Sequence, residues 1–82
     1  MNWRFYISTI KKILQRNGYP ALADEILMAE VNAGRNANAI LKEVISKLVQ
    51  FREGEQEAYG YIVSESEALI RFARTYGIEP NN

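Results

Sequence analysis

Residues 29–44 read AEVNAGRNANAILKEV. Two amphipathic stretches meet at Gly34, and Arg35, Asn36 and Asn38 crowd the start of the second. Two folds fit this junction. One is a helix-turn-helix whose second helix enters the major groove and touches bases with its first turns. Arg and Asn are the side chains that read guanine and adenine. The other is the corner of a helical hairpin. There Gly34 takes the left-handed conformation that ends a helix, Asn36 or Asn38 caps the next, and Arg35 meets the negative end of the helix before it.

Three features favour the corner. The helix before Gly34 is longer than the short first helix of a DNA-binding motif and is apolar on two sides. Glu30 stands where that motif wants a small buried residue. Few bases flank the turn, only Arg35 and then Lys42. The hairpin is therefore the expectation. A nucleic-acid contact through Arg35, Asn36, Asn38 and Lys42 is the alternative.

Working upstream, residues 20–33 begin with Pro20, whose missing N–H costs nothing in a first turn. Leu22, Ile26, Ala29 and Ala33 make one apolar stripe, and Ala23, Leu27 and Val31 make another. Together they predict a helix that packs on two sides. Asp24 and Glu25 lie in its early turns, where the helix dipole favours them. Residues 3–16 repeat Trp3, Tyr6, Ile7, Ile10, Ile13 and Leu14 at helical spacing, with Asn2 as a cap and Gly18 as a stop.

Downstream, a helix over about 37–53 carries Ala37, Ile40, Leu41, Val44, Ile45, Leu48 and Phe51 on one face. Glu43 and Lys47 form an i,i+4 pair, and Gly54 is the natural stop. Residues 55–76 divide into a short helix near 55–62 and a longer one over 65–76, started by Ser64-Glu65-Ser66-Glu67 as a capping box. A single bent helix, or a strand over YGYIV, is the competing reading. Residues 77–82 read as a frayed tail. The expected fold is all-α: one domain over 1–82, a compact bundle of four or five short helices.

Composition narrows the chemistry. The chain has no Cys and no His. Thiolate chemistry and zinc–thiolate sites are thereby excluded, and the commonest general base and metal ligand are missing. Lys42 and Ser46 are i,i+4, but both are placed on a polar face, where the lysine keeps its charge and cannot act as a base. No enzyme, no cofactor and no metal site is expected. Glu53 and Glu57 fit no calcium loop.

Ten basic and ten acidic residues cancel, which weighs against a dedicated nucleic-acid binder. They are segregated, however. Residues 1–23 hold Arg4, Lys11, Lys12 and Arg16 and no acid. Residues 53–67 hold Glu53, Glu55, Glu57, Glu65 and Glu67 and no base. The segments either attract each other in the fold or present two patches to partners. No apolar run is long enough to span a membrane, and no secretory signal is read, so a complete small cytoplasmic protein is expected.

Two surfaces stand out as partner-binding candidates. Phe5 lies far from the Trp3–Leu14 stripe, with Thr9, Lys12 and Arg16 on its side. It either covers the end of another helix or is exposed for binding. Glu53, Glu57, Tyr59 and Tyr61 combine acids with the aromatics favoured at interfaces. Met28, Tyr61, Ala68 and Phe72 lie off the main stripes, either as a second buried layer or as the seam of a homodimer. The expected function is a small regulatory or interaction protein that binds another protein through a helical surface, in the manner of an inhibitor, immunity protein or antitoxin.

Overall fold

A computed structural model describes residues 1–81. Among the described residues there are five helices and no strand: α1 (Trp3–Arg16), α2 (Pro20–Ala33), α3 (Ala37–Gly54), α4 (Gln56–Tyr59) and α5 (Val63–Thr75). Helix α1 packs on α2, α2 on α3, α3 on α5, and α5 back on α1. The four longer helices thus close a ring around one core. The short α4 lies against α3.

Local chemistry sets the corners. Asn2 Oδ1 accepts from the Phe5 N–H and Asn36 Oδ1 from the Ala39 N–H, so both helices have a side-chain N-cap. At the end of α1, Gly18 N–H donates to Gln15 O and Tyr19 N–H to Leu14 O. At the end of α5, Gly77 N–H donates to Arg74 O and Ile78 N–H to Ala73 O. Both are Schellman closures, which satisfy carbonyls the helix leaves free. The hairpin corner at Gly34 differs: its φ of 75° comes with ψ of −135°, outside the left-handed helical basin. Only glycine occupies that region readily.

The core takes Ile7, Ile10 and Leu14 from α1, Leu22, Ala23, Ile26 and Ala29 from α2, and Leu69, Ile70 and Ala73 from α5. Helix α3 supplies most of the rest, from Ile40 to Phe51, and touches three other helices.

Several expectations are corrected. Helix α2 buries one arc, not two: Ala23 is inside, but Leu27 and Val31 face outward. In a closed ring each helix has only one inward side. Gly54 is the last residue of α3 and Glu55 caps it. The chain bends there without a left-handed glycine. Helix α5 starts at Val63, before the supposed capping box, and no side chain caps it. Ser66 is instead fully buried, with no hydrogen-bond partner among the described residues. Lys47 pairs with Glu25 of α2 at 3.4 Å rather than with Glu43. Neither the single bent helix nor the strand forms.

Residues 77–81 are docked rather than frayed. Ile78 packs on the core, and the Asn81 N–H donates to Ser46 Oγ at 2.8 Å. Ser46 is therefore buried, not on a polar face, and its own proton goes to the Lys42 carbonyl oxygen at 2.7 Å.

Candidate functional site

The crest of α1 carries Phe5, Lys12 and Arg16, spaced i, i+7 and i+11 along one side of the helix. All three are exposed. Phe5 is 62% exposed, so it does not cover a neighbouring helix end. The reason is geometric: Ile7, Ile10 and Leu14 commit the opposite side of α1 to the core. Phe5 stands at a groove of about 300 Å³ between α1 and α5. Phe5, Tyr6 and Thr9 form one wall; Ser64, Glu65, Ala68 and Arg71 form the other. Two aromatic rings, three hydroxyls and one charge of each sign line it. Among the described residues, Glu65 and Arg71 make no ion pair. Such a groove suits a short apolar segment with polar flanks.

Lys12 turns to the other side of the crest, where it borders a second groove with Leu27 of α2. Its neighbour Lys11 is committed, bonding Glu30 at 2.6 Å. Arg4 lies over the Trp3 ring, 4.4 Å from its centroid, a cation–π contact. The basic and acidic segments do not pair with each other among the described residues: Lys11 uses Glu30, and Glu67 uses Arg52 at 3.5 Å. Lys12 and Arg16 on one side, and Glu53, Glu55 and Glu57 on the other, make no ion pair among those residues.

The second sequence-predicted surface is divided. Glu53, Glu57 and Tyr61 are exposed, and Tyr61 tilts towards Tyr19 with ring centroids 6.2 Å apart. Tyr59 is removed from it. Only 5% of Tyr59 is exposed, because α4 lies on α3 and turns that ring inward. Its hydroxyl bonds Glu67 Oε1 at 3.2 Å.

Burial, and then the Glu67 carboxylate beside it, push the Tyr59 hydroxyl above the usual tyrosine range. The folded chain therefore holds this proton more tightly than the unfolded chain does. Above about pH 10 the unfolded chain releases it first, so stability falls as pH rises towards the raised value. Tyr59→Phe should lose about 1 kcal/mol near neutrality, from the missing hydrogen bond, and show a shallower alkaline decline. Urea midpoints between about pH 8 and 11 check this. Equal alkaline slopes in the two proteins would contradict it.

The residues of the alternative reading are scattered in role. Asn36 spends its side-chain oxygen on the cap of α3. Asn38 lines a groove with Trp3, Phe72 and Tyr76 at one end of the ring. Arg35 and Lys42 are exposed. Of the remaining off-stripe residues, Met28 is exposed, Ala68 and Phe72 are half-buried, and Phe72 meets Tyr76 edge-to-face at 5.2 Å. Among the described residues, no three acidic side chains converge as a metal site would require. Among the described residues, no helix is long and apolar enough to cross a membrane.

Sequence reasoning missed the α5 wall of the groove. Ser64, Ala68 and Arg71 follow i, i+4, i+7 spacing, which sets them on one side of α5 but does not show what lies beside it. No protein-family model, no curated protein and no solved structure matches this chain.

Proposed function

We propose that this chain is a non-enzymatic interaction protein that binds another protein through the α1 crest and the groove beside it. The observation that carries this reading is Phe5, a large aromatic mostly exposed on a helix whose other side is fully committed to the core. A buried aromatic anchor surrounded by polar contacts is the usual centre of a protein interface. Lys12 and Arg16 along the same crest suit an acidic partner and would speed its approach. Roles as an inhibitor, immunity protein or antitoxin have this character: a small chain acting by occupying a surface.

The test is affinity capture with mass spectrometry, comparing the wild-type chain with Phe5→Ala and with Lys12→Glu/Arg16→Glu. Far-UV circular dichroism should be unchanged in both variants, because all three side chains are exposed. A specific partner should be depleted at least about tenfold by Phe5→Ala, a loss of the size seen at interface anchors. Equal recovery would sink the reading. Retention on heparin at about 100 mM salt would point to nucleic acid instead.

A further inference from the structure

We propose that the side of α3 marked by Ser46 is a docking face for an extended, basic segment of another protein, and that residues 78–81 of this chain cover part of that face until such a segment displaces them. At about 100° per residue, Ser46 points about 160° away from both Val44 and Leu48, which are fully buried. It therefore stands on the outward side of α3, where Lys42, Glu43, Gln50 and Glu53 are exposed. Ser46 itself is only 4% exposed.

The tail supplies much of that cover and shows what kind of chain fits. Residues 78–81 form no helix or strand. Ile78 sits in a groove with Asn38 and Leu41, and three residues later the Asn81 N–H donates to Ser46 Oγ. Leu41 and Ser46 lie about 7.5 Å apart along the helix axis, within the roughly 10 Å that three residues of extended chain reach. Ser46 gives its own proton to the Lys42 carbonyl oxygen, so its Oγ is left to accept. An apolar seat and an acceptor for a backbone N–H three residues on suit an extended segment.

The hold is light. Beyond Ile78 and that one hydrogen bond, the tail has the exposed Arg74–Glu79 pair at 3.4 Å, which adds little. Segments held by so few contacts open far more readily than a core does.

Beside Asn81 the face continues into a groove of about 370 Å³ between α2 and α3. Asp24, Glu25, Glu43 and Lys47 are the charges that line it. Lys47 pairs with Glu25, whereas Asp24 and Glu43 make no ion pair among the described residues. Asp24 also borders the α1–α2 groove that holds Lys12; Glu43 belongs to this groove alone among the two. Lys42, on the outward side of α3, does not line it. The groove is therefore acidic, and the tail brings no base to it: its only charged residue is Glu79. A segment with Lys or Arg at the place of Asn81 or just beyond adds charge complementarity to the same backbone contact, which favours it over the tail.

The test titrates the isotope-labelled full chain with two hexapeptides up to about 5 mM, following backbone amides by NMR. Gly-Ile-Glu-Pro-Lys-Lys copies residues 77–80 and adds two bases; Gly-Ile-Glu-Pro-Glu-Glu is its acidic counterpart. The basic peptide should shift the amides of Glu43, Ser46 and Lys47, release that of Asn81, and bind at least about tenfold more tightly than the acidic one. Ile78→Asp, which loosens the tail, should tighten its binding at least about fivefold. Asp24→Lys/Glu43→Lys, at two exposed positions, should reverse the preference between the peptides. Phe5→Ala should change nothing, which separates this face from the α1 crest. No binding of the basic peptide overturns the proposal. So does equal affinity for both peptides, no gain on Ile78→Asp, no reversal in the double variant, or a loss on Phe5→Ala. If circular dichroism shows Ile78→Asp to be unfolded, Ile78→Ala replaces it, with a smaller gain of the same sign expected and its absence equally decisive.

Discussion

Leu48→Ala should remove about 3 kcal/mol of folding stability, in the middle of the range for a leucine truncated in a core. Leu48 is fully buried on α3, the helix that touches α2, α4 and α5. Losing its branched end deletes contacts at the centre of the ring. Ile45 and Val44 are held by the same close packing and can fill the space only in part. An 82-residue domain buries about two thirds of its unfolded surface, so its total stability is only about 4–12 kcal/mol. A loss of this size should lower the thermal midpoint by well over 10 °C. Leu27→Ala is the control. It removes the same atoms from an exposed position and should cost less than about 0.5 kcal/mol in the monomer. Urea titrations at low protein concentration measure both. Similar costs for the two leucines would mean that α2 is turned differently from the arrangement described.

Gly34→Ala should cost about 2 kcal/mol or more, entirely through the backbone. A Cβ at this position would meet nothing within 4 Å, so crowding plays no part. The penalty comes from φ +75° with ψ −135°, which an L side chain resists. Asn tolerates the left-handed helical basin but not this one, so Gly34→Asn should be about as harmful as Gly34→Ala. Gly54 predicts the opposite sign. Its φ is not positive and a Cβ there also meets open space. Gly54→Ala should be neutral or stabilise by about 0.5–1 kcal/mol, through the reduced freedom of the unfolded chain. A Gly34→Ala protein as stable as the parent would mean that the corner relaxes to a different turn.

The contrast between these glycines shows what sequence can convey. Positions 18, 34 and 54 all follow an amphipathic run and all read as stops. Gly18 and Gly34 end a helix with positive φ, and Gly54 does not, because Glu55 caps α3 and the chain re-enters a helix at Gln56. The first three helices were legible because period, cap and stop agreed at Asn2, Pro20, Gly34 and Asn36. Helix α2 does pack on both α1 and α3, but the exposure of its second stripe, Leu27 and Val31, was not legible. Apolar spacing shows where a neighbour would be accepted, not whether the chain has a helix left to supply one. Tyr59 was misplaced for a related reason: four residues of helix carry too little periodicity to reveal which way a ring turns. The docked tail did leave a signal. Ile78 directly follows Gly77, and an apolar residue in that place commonly packs back on the helix it has just left. Phe5 was legible by being out of register with its own helix, whereas the opposite wall of its groove belongs to residues about sixty positions away.

That separation has a consequence for how the groove comes into being. The α1–α2 and α2–α3 hairpins join neighbours in the chain and can form quickly, whereas α1 meets α5 only by closing almost the whole length of the polypeptide. During synthesis the inner edge of α1 waits uncovered until the last helix has emerged. A nascent or truncated chain therefore displays Phe5 without the wall opposite it. The complete groove exists only once α5 has been made and docked, so a partner that needs both walls discriminates between chains that contain α5 and those that stop short of it.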